Sequence, residues 1–254
     1  MQVQVLSPAP IIEKHNLQVV VVTEASCTPR AKDEVRFLGD LPLILMNFMK
    51  IIFLTGAGIS ANAGLPTYRG PTGIYTNSEF QIEDFLTFDN YKLNTEEVED
   101  YIGLLKNQFS SVEPSTWHEY IVELEKEHEI LVVTQNVDGL HQKAGSSNVI
   151  ELHGNISRRV IREGFDVPDV VFFGDQLNNR LFDAIEEFDN GDLDLCVIVG
   201  SSMPFPYLDE IAFSGKKTVL VDIDKNHPYI AAVDAYYSDI KELSLVSLFP
   251  DHMG

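Results

Sequence analysis

Cysteine is scarce: the chain has two, Cys27 and Cys196, far apart in sequence. Two thiols cannot build a disulfide framework or a multi-cysteine zinc cluster, and their scarcity fits a reducing compartment. Cys196 sits in the apolar run Leu195-Cys-Val-Ile-Val199 and reads as a small core residue. Long apolar runs are absent as well. No stretch reaches the ~18 residues of a membrane span, and Met1-Gln-Val-Gln-Val lacks the basic start of a secretory signal. A cytoplasmic location is expected. Positive charge is also in deficit, with 18 Lys and Arg against 39 Asp and Glu, a net charge of −21. That balance argues against nonspecific binding to nucleic acid or to an anionic membrane. It would suit a basic peptide partner, although a solubilising acidic surface is the simpler account. At 254 residues the chain can hold one large domain, or one domain with a small insert.

What is present concentrates in a few segments. Gly56-Ala-Gly-Ile-Ser-Ala-Asn-Ala-Gly-Leu-Pro-Thr-Tyr-Arg-Gly70 follows directly on the β-type run Lys50-Ile-Ile-Phe-Leu-Thr55. A strand ending in such a turn lets backbone N–H groups approach a pyrophosphate without a side chain in the way. The same glycines can serve only a tight strand-to-helix turn. The spacing departs from G-x-G-x-x-G, because Ser60 and Ala61 stand where the third glycine belongs. A second dense segment, Thr134-Gln-Asn-Val-Asp-Gly-Leu-His141, follows the run Ile130-Leu-Val-Val-Thr134 and precedes Glu151-Leu-His-Gly154. Gln135, Asn136 and Asp138 thus gather at the carboxyl end of a strand, and polar side chains there need a capping network or a ligand. Two later runs end similarly: Leu195–Val199 in Gly200-Ser-Ser202, and Thr218–Val221 in Asp222. Each alone reads as turn chemistry. Four strand ends pointing the same way favour a ligand.

Between the strands, periodicity predicts helices over Asn94–Phe109, with Asn94 and Glu97 as a capping pair, over Ser115–Glu127, and over Leu177–Phe188, stopping at Asn190-Gly191. Apolar runs too continuous for a one-sided sheet, alternating with helices, predict an α/β fold with βαβ units and a parallel sheet. Residues 1–48 carry none of the motifs and read as a leader, disordered or accessory. The catalytic fold is expected over 49–254.

These motifs, in this order, resemble the sirtuin family of NAD-dependent protein lysine deacylases. The resemblance rests on Gly56-Ala-Gly-Ile-Ser60, Pro66-Thr-Tyr-Arg-Gly70, Thr134–His141, Glu151-Leu-His-Gly154, Val170-Val-Phe-Phe-Gly-Asp175 and Gly200-Ser-Ser202, and covers roughly Lys50 to Asp224. It implies a Rossmann-like, doubly wound large domain beside a reduced small domain, with elements of the latter within about 70–115 and 155–170, and the active cleft between them. It implies NAD as cofactor, held by Gly56, Ala57, Gly58, Ile59, Thr67, Tyr68, Arg69, Gln135, Asn136, Val137, Asp138, Gly200, Ser201, Ser202 and Asp222. Within that set, Arg69 would pair phosphate charge, Asp138 would hold the nicotinamide amide, and Asn136 and Gln135 would orient the ribose. His153 would be the general base and, with Asn136, the catalytic pair, since an imidazole titrates near neutrality. His118 and His141 read as structural. Val171, Phe173, Gly174 and Met203 would meet an acylated lysine peptide by strand addition, although Pro204 and Pro206 have no N–H to donate.

Three departures from the family pattern stand out. The interval from Asn155 to Pro168 lacks the usual two Cys-x-x-Cys pairs, so a tetrahedral thiolate zinc site is impossible there and no metal is expected. Its arginines, Arg158, Arg159 and Arg162, read as a solvated basic patch, with contact to an acidic ligand as the alternative. Leu104 stands where acidic-acyl-specific members carry arginine after Tyr101, which leaves a carboxylate clamp unsupported. Asp222 replaces the family's asparagine. The leading expectation is NAD-dependent removal of acetyl-type groups from protein lysine, giving nicotinamide and O-acyl-ADP-ribose. Cleavage of NAD without a lysine substrate, as glycohydrolase or ADP-ribosyltransferase, uses the same residues. A binding module without turnover is disfavoured by His153 and Asn136.

Overall fold

The computed structural model describes residues 48–67, 73 and 81–249. Residues 1–47 of the 1–48 leader, Tyr68 and Arg69 lie outside the described residues.

Eight strands run in chain order as β1 (Lys50–Thr55), β2 (Glu129–Thr134), β3 (Val149–Glu151), β4 (Gly154–Arg162), β5 (Phe165–Val170), β6 (Leu195–Val199), β7 (Lys217–Val221) and β8 (Ala235–Tyr237). Six form one sheet in the order β3-β2-β1-β6-β7-β8, and every pairing in it is parallel. This is the parallel sheet that the apolar runs predict, in the doubly wound arrangement that the resemblance implies. Its central strands are buried on both faces. Ile51 and Phe53 join one apolar cluster with Val132 and Val197, while Ile52 and Leu54 join another with Val133 and Ile198. A strand with core on both sides cannot alternate apolar with polar, which explains the unbroken runs.

Strand order reverses between β1 and β6, the switch point at whose carboxyl ends ligands bind in open α/β sheets. Register aligns the tips. Thr55 pairs with Thr134 on one side and Val199 on the other, and Val199 with Val221. The residues that follow, Gly56, Gln135, Gly200 and Asp222, therefore leave the sheet at one level.

The predicted helices appear with shifted ends, at Thr95–Ser110, Thr116–Leu124 and Asn179–Asp189. Asn94 does occupy the N-cap, but its side chain makes no capping bond; its amide donates to Asn90 Oδ1 at 2.8 Å instead. The second helix is capped reciprocally by Ser115 and His118. The third ends as expected, with Asn190 and Gly191 both in the left-handed region at φ 46° and 76°.

A small subassembly sits beside the sheet. β4 and β5 form an antiparallel hairpin closed by Glu163 and Gly164, at φ 50° and 87°. Positive φ at both turn residues matches the twist of a tight hairpin. The hairpin packs on helices at Phe88–Leu93 and Thr95–Ser110 through Phe88, Tyr91, Ile102, Ile156, Val167 and Phe172. Arg158 and Arg159 are exposed, as a solvated patch requires, and all three arginines also meet carboxylates of the chain itself. Arg158 pairs with Glu151 at 2.6 Å and Asp169 at 3.0 Å. Arg159 pairs with Glu99 at 3.0 Å and Asp166 at 3.1 Å. Arg162 meets Asp175 with both guanidinium nitrogens, at 2.5 and 2.8 Å, and lies 3.8 Å over the Phe88 ring. In an acidic chain these cations find carboxylates across the hairpin and on its neighbours, and they pin it where the sequence offers no thiolates.

Candidate active site

The glycine turn is built on a close approach between two loops. The Gly56 and Gly58 amides donate to Val199 O at 3.0 Å and Gly200 O at 2.8 Å. A Cβ on Gly58 would lie 2.5 Å from Gly200 Cα, and one on Gly200 2.5 Å from the Ile59 nitrogen. Gly200 also sits at φ 57°. These glycines are therefore required by backbone contact alone, and the result is a strand-tip floor free of side chains.

Polar groups from β2 are anchored onto that floor. The Gln135 amide donates to Ser201 Oγ at 2.7 Å and to Thr55 O at 3.3 Å. The Asn136 amide donates to Gly56 O at 3.0 Å and Ser60 Oγ at 3.1 Å. Its Oδ1 is buried without a hydrogen-bond partner. A buried acceptor left open at a cleft-forming position fits a ligand that brings a donor. Ser60 Oγ in turn donates to Asp138 Oδ2 at 2.7 Å, and Leu140 N–H reaches Asp138 Oδ1 at 2.9 Å. Burial pushes the Asp138 carboxyl up, against the lowering pull of those two donors.

His153 follows β3 and hangs from the residue next to Asn136, its Nδ1 lying 2.8 Å from Gln135 O. A carbonyl only accepts, so the neutral ring carries its proton on Nδ1 and turns the Nε2 lone pair outward. Burial holds the imidazole below its ordinary range, opposed by the Gln135 carbonyl. The ring is thus unprotonated, and able to accept a proton, at neutral pH.

Other expected residues fall around this centre. Val171 N–H donates to His153 O at 2.9 Å, which places the 171–174 segment beside His153. Phe172 N–H goes to Asp175 Oδ2 at 3.1 Å and Phe173 N–H to Leu86 O at 2.9 Å. Gly174 is exposed at φ 88°. Met203 N–H donates to Ser201 Oγ at 3.1 Å, and Ser202 is exposed. Ile59 is buried under the turn, where its carbonyl accepts from Ser115 Oγ; Ala57 opens the helix Ala57–Ala61 above it. Val137 O accepts from Ile156 N–H at 3.0 Å, tying the β2 loop to the hairpin. Thr67 is half-buried. Asp222 stands at the tip of β7, its carboxyl raised by burial and accepting Asp224 N–H at 2.8 Å. Leu104 is 68% exposed, while Tyr101 packs edge-on against Phe85 at 5.5 Å. Two groups were missed in the sequence. Ser60 was noted only for replacing a glycine, yet it bridges Asn136 and Asp138. Tyr207, whose hydroxyl lies 3.0 Å from His153 Nε2, carried no signal at all.

Known proteins are similar to this chain in sequence and fold. A family model described as Sir2 family matches residues 56–164. An NAD-dependent protein deacylase of Leptospira interrogans is 33% identical over 217 residues, covering 74% of this chain and 87% of that protein. The chain belongs to the Sir2 family. NAD-dependent protein deacylase 1 of Caldanaerobacter subterraneus is 36% identical to this Sir2 chain over 193 residues, 64% of this chain and 79% of that one. A solved Sir2 structure with a deacetylated p53 peptide and an O-acetyl ADP ribose superimposes on it with a TM-score of 0.61 at 27% identity, covering 74% of this chain and 87% of that one.

Proposed function

We propose that this Sir2-family chain is an NAD-dependent protein deacylase, acting on acylated lysine in a protein partner and releasing nicotinamide and O-acyl-ADP-ribose. The observation that carries the reading is the imidazole of His153 hung on the Gln135 carbonyl, one residue from an amide whose Oδ1 has no partner. NAD, when bound, supplies a labile sugar–pyridinium bond; the protein supplies placement and proton transfer. Asn136 and Asp138, coupled through Ser60, form the polar wall that orients it. Gln135 fixes the tautomer of His153, so Nε2 is the nitrogen that gains a proton when a sugar hydroxyl is deprotonated. The leaving group's amide has an ionisable partner in Asp138. Tyr68 and Arg69 are proposed to close the site over ribose and phosphate, in keeping with their place in the motif.

A second reading is cleavage of NAD without a lysine substrate, and one observation favours it. The N–H groups of Val171, Phe172 and Phe173 all have partners within the chain, and Pro204 and Pro206 have none to give. An extended peptide would then find few donors for strand addition. Incubation with NAD, with and without an acetyl-lysine peptide, separates the two. Nicotinamide release that depends on peptide and yields O-acyl-ADP-ribose supports deacylation; release indifferent to peptide supports the alternative.

Three further points belong to the same proposal. The hairpin is held by its arginine pairs and aromatic packing without zinc. No group of three metal-ligating side chains occurs among the described residues, and strong chelators are expected to leave the melting temperature and activity unchanged, a chelator-induced loss of either being the contrary result. The net charge of −21 supports a protein that avoids nucleic acid and anionic membrane surfaces. Among the described residues no helix is long and apolar enough to cross a membrane. The cytoplasm is the proposed location; fractionation of cells expressing the chain would test it, recovery with membranes being the contrary outcome.

A further inference from the structure

The proposed base has a partner that the mechanism above does not use. With the His153 proton on Nδ1, the ring has one lone pair, at Nε2, and Tyr207 Oη lies 3.0 Å from it. Between a phenol and a bare imidazole nitrogen only the phenol can donate. The acceptor a general base needs is therefore already filled. Nor is the phenol placed to swing away. Its ring stacks on Phe205 at 5.4 Å and 9°, meets Phe182 edge-on at 5.7 Å, and Phe205 stands edge-on to His153 at 5.9 Å. The segment leading to it is stiff: Met203 is held at φ 51°, Pro204 and Pro206 fix their own φ, and Pro206 caps the helix Tyr207–Ala212. Burial pushes the Tyr207 hydroxyl up to about 12, so it keeps its proton at working pH.

We propose that Tyr207 is a second proton-handling residue of the site, passing the proton of the attacking sugar hydroxyl to His153. The inference rests on the deacylase reading. A sugar hydroxyl arriving at the base meets an occupied Nε2, but the phenol oxygen beside it has lone pairs with which to accept. As the sugar O–H bond breaks and that oxygen bonds to the acyl carbon, its proton goes to Oη, and the proton already on Oη goes to Nε2. Tyrosine ends neutral, His153 ends as an imidazolium, and no electron leaves the system. A ring that only filled space would need no hydroxyl, whereas this hydroxyl is aimed at the base.

Tyr207→Phe keeps the ring stack and removes the relay. Two readouts are taken with NAD, an acetyl-lysine peptide and labelled nicotinamide: exchange of nicotinamide into NAD, which precedes the base-dependent step, and formation of O-acyl-ADP-ribose, which requires it. Expected for Tyr207→Phe are an unchanged melting temperature, exchange within about threefold of the wild-type protein, and product formation slowed on the order of 100-fold. The double variant His153→Ala/Tyr207→Phe should be no slower than His153→Ala alone, since both act on one proton path. Product formation by Tyr207→Phe within about threefold of wild type would overturn the proposal. So would an equal fall in exchange and product, or a double variant in which the two losses multiply. Absence of exchange in the wild-type protein is a different failure: it removes the deacylase reading, and the relay with it.

Discussion

A histidine serves as a base only when one ring nitrogen is committed and the other can accept. The Gln135 carbonyl does the committing for His153. His153→Ala is expected to cut O-acyl-ADP-ribose formation on the order of 100-fold or more while leaving NAD affinity within a few-fold. Single-turnover product analysis beside NAD titration checks this, and a fully active variant would remove the assigned base. Asn136 and Asp138 drew attention in the sequence because they sit in a short polar motif just past an apolar strand, and His153 because its motif resembles the family's. Ser60 and Tyr207 were not. A serine that bonds a carboxylate 78 positions away, and a tyrosine that bonds a histidine 54 positions away, are products of the fold rather than of local spacing. The carboxylate partners of the basic residues were hidden for the same reason, since Arg159 and its partner Glu99 are 60 positions apart.

At the scale of elements, the two strand-tip loops after β1 and β6 succeed only because neither carries a side chain where they touch. Gly58→Ala would force a Cβ to 2.5 Å from Gly200 Cα, a distance real side chains do not adopt. A loss of stability of about 1–3 kcal/mol or more is expected, with weakened NAD binding. Gly103→Ala is the control. It lies inside the helix Thr95–Ser110 with no atom within 4 Å of the added Cβ, so a gain of about 0.5–1 kcal/mol is expected. Denaturant melts of both variants decide the matter, and equal effects would mean that the glycines do not differ as described. The long central strands were legible because burial on both faces leaves an unbroken apolar run. The three-residue strands β3 and β8 were too short to carry a pattern, and each is only partly buried. The hairpin of β4 and β5 was illegible for another reason: its exposed face carries arginines, and Pro168 interrupts the run.

For the whole molecule, the acidic side of the stability profile should be set by buried imidazoles. His118 and His141 stack edge-on at 4.7 Å beneath the glycine turn, each with one ring nitrogen lacking a partner. Burial drives His118 down to about 4 and His141 well below its ordinary value, the latter with added repulsion from His118. Above about pH 6.5 both are neutral whether folded or unfolded, and they add no pH dependence. Below it the unfolded chain binds protons that the folded chain refuses, so stability falls as pH falls. The loss from His118 alone is about 3 kcal/mol by pH 4. Melting temperature against pH should decline more gently in His118→Asn, and parallel curves would assign the acid sensitivity elsewhere.

The measurement nearest to the central claim is a product balance from one incubation with NAD and an acetyl-lysine peptide, resolved by mass spectrometry. The proposed acyl transfer to the sugar at Asn136 and His153 predicts nicotinamide, free-lysine peptide and O-acyl-ADP-ribose in equal amounts. NAD lost as plain ADP-ribose, with the peptide's acyl group still in place, would contradict it.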